Sequence, residues 1–122
     1  MSQRPHKKLI VWQESVGFVS LIYSATSKFP KEEMFGLTSQ LRRASVSVPV
    51  NIAEGAARNS KKEMRQFLYI ADGSLSEIDT LLTISLRLNY ISSPDFDISI
   101  SKMEKINALL KGLIKSINAG IT

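Results

Sequence analysis

A chain of 122 residues with 43% apolar and 22% charged side chains and few Pro or Gly has the balance of one folded domain rather than a disordered tail, and without cysteine it can build neither disulfides nor thiolate metal sites. The formal charge of +5 is lopsided: residues 1–65 carry 11 Lys and Arg against 5 Asp and Glu, a net of +6, and residues 66–122 carry 5 against 6, a net of −1. No segment is apolar for long enough to cross a bilayer, and the basic start runs into Gln13 and Glu14 rather than an apolar signal core, so a cytoplasmic protein is expected.

Residues 1–8 form a basic tail with Arg4, Lys7 and Lys8, and His6, the sole histidine, is expected to be solvated there. A first helix is predicted over 11–28. Leu9, Trp12, Val16, Val19, Tyr23 and Thr26 step by three and four and so define its packing seam. Ile10, Phe18, Leu21 and Ile22 fall off that seam, leaving more apolar surface than one neighbour covers. Phe29 and Pro30 stop the helix, because proline lacks the next backbone donor and pushes its predecessor out of the helical region.

After the linker KEEMFG, a second helix is predicted over 37–57, continuous but bent at Pro49, whose missing N–H leaves the Ser45 carbonyl without its usual partner. Ser45 and Ser47 are placed to bond nearby carbonyls. At 100° per residue Leu37, Leu41, Ala44, Val48 and Ile52 share a core-facing sector. Val46, Val50, Ala53 and Ala57 make a second apolar sector of small or β-branched residues, open to close approach by another helix. Between them Arg43, Ser47, Asn51, Glu54 and Arg58 form a wholly polar stripe. Glu54 and Arg58 alone amount to a routine surface ion pair worth a few tenths of a kcal/mol; with Asn51 and Arg43 partly buried, the set would fix helix register or subunit geometry instead.

Ser60 with Glu63 fits a capping box opening a third helix over 61–88. Its main face is Met64, Phe67, Leu68, Ala71, Leu75, Ile78, Leu81, Leu82 and Ser85, with a thinner apolar stripe of Ile70, Gly73, Ile84 and Leu88 behind. Ser93 before Pro94 resembles an N-cap with proline at the first helical position, and a fourth helix over 97–119 carries Met103, Ile106, Leu110, Leu113 and Ile117 up to Gly120. Four amphipathic helices with short connections and no strand alternation predict an all-α protein, an antiparallel up-down-up-down four-helix bundle occupying residues 1–122 as a single domain.

Catalytic chemistry finds no support. One histidine cannot build a metal cluster or a Ser-His-Asp arrangement, Glu-x-x-His pairs are missing, and no Gly-rich stretch is followed by Lys and Ser or Thr. No catalytic residue, metal or cofactor is therefore assigned, and the protein is expected not to be an enzyme. The basic residues Arg42, Arg43, Arg58, Lys61, Lys62 and Arg65 are the candidates for phosphate contacts with RNA or DNA, which would be salt-sensitive and independent of sequence. A solvated charge run is the competing reading, and no aromatic row interleaves the cluster to stack on bases.

The segments LIVWQESVGFVSLIY, FPKEEMFGLTSQLRRASVSVPVNIAEGAARNSKKE, FLYIADGSLSEIDTLL and LNYI, spanning residues 9–91, closely resemble the bacterial four-helix bundle proteins also called 23S ribosomal RNA intervening-sequence proteins. Val50 stands where relatives often have Ser, and Ala56-Ala57 where aromatic or polar residues are common, departures that bear on an interface and not on the fold. The family name records where some of its genes lie and establishes no activity. Relatives include the accessory variability determinant proteins of diversity-generating retroelements, and this resemblance implies a pentameric barrel, a basic nucleic-acid-binding surface matched here at Arg42, Arg43 and Arg58, and a possible protein partner such as a reverse transcriptase. Two function classes stay open: a nucleic-acid-binding accessory protein, and an oligomeric scaffold for a protein partner.

Overall fold

Over residues 4–121, which the computed structural model describes, the apolar periodicity resolves into four α-helices: α1 (Ile10–Thr26), α2 (Leu37–Ala56), α3 (Lys61–Arg87) and α4 (Ser93–Ala119). There is no strand among the described residues. Local chemistry sets the helix starts. The Ser60 hydroxyl accepts the Glu63 amide at 3.1 Å, as the capping-box pattern predicts, and satisfies a donor that α3 leaves without a partner. At α4 the cap is Ser92, whose hydroxyl accepts the Asp95 amide at 3.2 Å. This corrects the expectation of a cap at Ser93 and a start near 97: helical geometry begins a turn earlier, because Pro94 lies in the first turn, where its missing N–H is harmless.

The linker caps α2 from outside. The Leu37 amide donates to Glu33 Oε1 at 3.0 Å, and the Tyr90 hydroxyl, from the turn between α3 and α4, donates to Glu33 Oε2 at 3.3 Å. Burial, then the neighbouring Glu33 charge, raise the Tyr90 pKa above its ordinary value. Phe29 is buried beneath this turn, its ring 5.9 Å from that of Tyr90. α2 runs unbroken through Pro49, which is itself buried, and the Ser45 hydroxyl donates to the Arg42 carbonyl at 2.8 Å.

Polar pairs between helices fix an antiparallel arrangement. Arg65 and Asp72 of α3 meet Asn118 and Lys111 of α4, so one helix rises as the other descends; Lys28, just past the end of α1, and Glu14, near its start, meet Asp95 and Lys105 of α4 in the same sense. Each helix packs on its neighbour in sequence and α4 closes against α1, which is the up-down-up-down bundle expected. The core is Phe18 and Ile22 of α1, Leu41, Val48 and Ile52 of α2, Leu68, Ile78 and Leu82 of α3, and Ile106 and Leu110 of α4, all inaccessible to solvent.

The seam expected on α1 is corrected by this core. Val11, Ser15, Phe18, Ile22 and Ala25 face inward, while Val16 and Tyr23 are 41% and 43% exposed. α1 is apolar on most sides, and its buried face includes Ser15, whose hydroxyl is satisfied by the Trp12 carbonyl at 2.9 Å. A polar residue that bonds its own helix costs little inside, so it hid the inward face. On α3 the predicted face is buried from Leu68 to Ser85, with Met64 and Phe67 half-buried, and the thinner stripe is exposed, with Ile70, Ile84 and Leu88 each 40% exposed or more. No described helix is long and apolar enough to cross a membrane.

Candidate nucleic-acid interface

The antiparallel topology brings together at one end of the bundle the start of α1, the end of α2, the start of α3 and the end of α4. The turn between α2 and α3 is drawn in tightly because residue 55 has no side chain: a Cβ on Gly55 would lie 3.0 Å from the Met64 carbonyl oxygen and 3.1 Å from Phe67 Cβ. Arg58, just beyond, stacks its guanidinium 4.7 Å from the Phe67 ring centroid and donates to Glu54 Oε2 at 2.7 Å. Lys61 and Lys62 follow in the first turn of α3, both exposed, where the helix dipole adds partial positive charge.

Arg65 is half-buried and donates to Asn118 Oδ1 at 2.9 Å, and its Nε is enclosed without a partner. It ties α3 to α4 more than it faces solvent. Lys115, in the last full turn of α4, is exposed at this same end. Lys115 lies 50 residues along the chain from Arg65, and only the antiparallel order of the third and fourth helices brings the two to one end.

The basic tail joins this end. Pro5–Lys8 form a single 3-10 turn that contacts α1 and α2, with the Gln13 amide donating to the Lys7 carbonyl at 2.8 Å. His6 is half-buried, its ring edge-on to Trp12 at 4.9 Å, which corrects the expectation of a solvated histidine: an aromatic face close in sequence gave it a packing partner. Residues 1–3 of the tail lie outside the described residues. Arg4, Lys7 and Lys8 are exposed at this end, with Lys8 lining a hollow between the start of α1 and Leu109 and Leu113 of α4.

Arg42 and Arg43 are separated from these groups. They precede Arg58 by 15 or 16 residues on α2 and its extension, about 22 Å at 1.5 Å per residue. Arg42 is held in place: its Nε donates to Thr26 Oγ1 at 2.9 Å, Nη2 to the Tyr23 carbonyl at 3.4 Å, and its guanidinium stands 4.5 Å from the Tyr23 ring centroid. It braces the end of α1 against α2. Arg43 is exposed and makes no ion pair among the described residues.

The polar stripe of α2 divides in three. Asn51 donates to the Ser47 carbonyl at 2.8 Å and hydroxyl at 3.0 Å, and Ser74 of α3 donates to the same hydroxyl at 2.9 Å. Glu54 and Arg58 form a separate pair with side chains 51% and 39% exposed, and Arg43 stands alone. The middle group fixes the α2–α3 register; the ion pair is the surface kind whose contribution is small.

The sequence profile described as 23S rRNA-intervening sequence protein matches residues 7–112. Among solved structures, the chain is similar to a protein of unknown function from the S23 ribosomal protein family of Bacteroides thetaiotaomicron VPI-5482, with a TM-score of 0.80 and 25% identity over 87% of this chain and 96% of that one. No curated protein matches.

Proposed function

The chain belongs to the 23S rRNA-intervening sequence protein family, and from that premise we propose that it is a non-enzymatic, oligomeric protein of the cytoplasm that binds RNA or DNA by phosphate contacts at the basic end of the bundle. The observation that supports this reading is that one end of the bundle carries Arg4, Lys7 and Lys8, Arg58, Lys61, Lys62 and Lys115, all exposed, against Glu54 and Glu63 as its exposed acids. Charges from four separate segments, set on helix ends at fixed spacing, suit a polyanion whose charges repeat. Phe67, in the second turn of α3, lies under Arg58, which favours backbone contact over base stacking.

The oligomeric part of the proposal draws on apolar side chains left open on α1 and α3, chiefly Ile10, Val16 and Tyr23, and Tyr69, Ile70 and Ile84; a ring of five copies is the assembly favoured. Light scattering tests it, and a monomer at micromolar concentration overturns it.

The nucleic-acid part is tested by titrating labelled RNA and DNA at several salt concentrations with the Arg58→Gln, Lys61→Gln, Lys62→Gln triple variant. Each lost phosphate contact is expected to reduce the salt slope by about 0.7 to 0.9, whereas Arg43→Gln leaves it unchanged. If the folded triple variant matches the parent in affinity and slope, the second reading replaces the first. That reading is a scaffold for a protein partner such as a reverse transcriptase, favoured by an open hollow of about 480 Å³ on the α1–α2 side lined by Tyr23, Arg43, Val46 and Val50.

A further inference from the structure

Phe35 is 96% exposed, the most exposed large apolar side chain of the described residues, and Met34 beside it is 49% exposed. Its loop is not free to fold the ring away. Glu33, Met34 and Gly36 each donate a backbone hydrogen bond within the linker, to Pro30, Lys31 and Glu33 at 2.9 to 3.1 Å, and the Glu33 carboxylate is clamped between the Leu37 amide and the Tyr90 hydroxyl. The ring is therefore presented on a pinned turn, with the ordering cost of association already met in the free protein.

The same chain carries a hollow of matching character. Between α1 and α4 an open, mainly apolar groove of about 710 Å³ is lined by Gly17, Leu21 and Ile98, with Asp97 toward one end and Lys102 and Lys105 toward the other. Gly17 makes the wall low: a Cβ built there meets nothing within 4 Å. Lys102 and Lys105 share one carboxylate, Glu14, so that end keeps one positive charge in excess. Phe35 is preceded by Glu32 and Lys31, both exposed and neither in an ion pair among the described residues. The knob thus carries an exposed base and an exposed acid on the turn that leads into it, and the groove offers a partner of opposite sign to each, Asp97 at one end and the lysines at the other.

We propose that the occupant of the α1–α4 groove is the Met34-Phe35 turn of a second copy of this chain. The contact joins two different patches, so it is head-to-tail and repeats from copy to copy, closing into a ring when the rotation permits. It deepens the oligomeric reading above, and rests on it, by naming the two surfaces.

The test uses two single variants and their mixture. Phe35→Ser removes the knob and keeps the groove; Gly17→Leu fills the groove and keeps the knob, and neither touches the buried core. With folding checked by circular dichroism, each variant alone is expected to weaken self-association by about thirty-fold or more, as removal of an anchoring aromatic does. Mixed together they are expected to form a one-to-one heterodimer, because the Gly17→Leu chain still offers Phe35 and the Phe35→Ser chain still offers an open groove. If the parent is an oligomer and both variants keep its mass, this assignment falls while the oligomeric reading stands. A monomeric parent overturns both, and a native mass spectrum showing a small apolar ligand in the groove of an otherwise monomeric chain does so by naming another occupant.

Discussion

At position 55 a single methyl group decides how closely two helices can lie. The atoms that an added Cβ would meet belong to the Met64 backbone and the root of the Phe67 side chain, neither of which can swing aside. Alanine gains about 1 kcal/mol of helix propensity over glycine, while forcing extra volume into a close contact costs about 1 to 3 kcal/mol. Gly55→Ala is accordingly expected to lower stability by about 1 kcal/mol, and Gly55→Val by more, seen as lower urea midpoints with an unchanged slope. Gly120→Ala is the control: its nearest neighbours are the far atoms of the Lys61 side chain, which can move, so its midpoint should match the parent's.

Helix ends carry a comparable share of the stability. Ser60 and Ser92 cap α3 and α4 at opposite ends of the molecule. Replacing either by alanine is expected to cost about 1 kcal/mol, and the double variant should show the sum within about 0.5 kcal/mol, since distant sites with no shared partner add. The cap at Ser60, the α3 face and the passage of α2 through Pro49 were all legible in the sequence, because each depends on spacing along one segment. The inward face of α1 was not, since an inward serine and an outward Val16 and Tyr23 invert the usual sign of the pattern. Nor could spacing show that α2 is capped by Glu33 from the linker or that Arg42 is spent on Thr26 and Tyr23, because those partners come from neighbouring elements. Of the candidate interface, Arg58, Lys61 and Lys62 were readable as a basic run around a turn. Lys115 and the docked tail required the topology.

Across the whole molecule, charge holds the α1–α4 seam. The hydrogen bond from Lys105, helped by the charges of Lys102 and Lys105 and opposed by desolvation, keeps the Glu14 carboxyl below its ordinary pKa. Because the folded value is the lower one, the resulting stability is present above the unfolded pKa of about 4.3 and is lost as pH falls through the folded value. Glu14→Gln should thus be less stable than the parent at neutral pH, with the gap closing on acidification; a gap that persists at low pH would assign Glu14 a packing role instead. That seam has the least extensive contact of the four helix pairings, while α2 and α3, joined by a short turn, have the most. Chain closure makes the same distinction in time, since contacts between α1 and α4 span most of the sequence and those between α2 and α3 are local. The α2–α3 hairpin is expected to be the last part of the native state to open, so that in native-state hydrogen exchange the core amides of α2 and α3 exchange only through global unfolding and those of α1 and α4 through a cheaper, partial one.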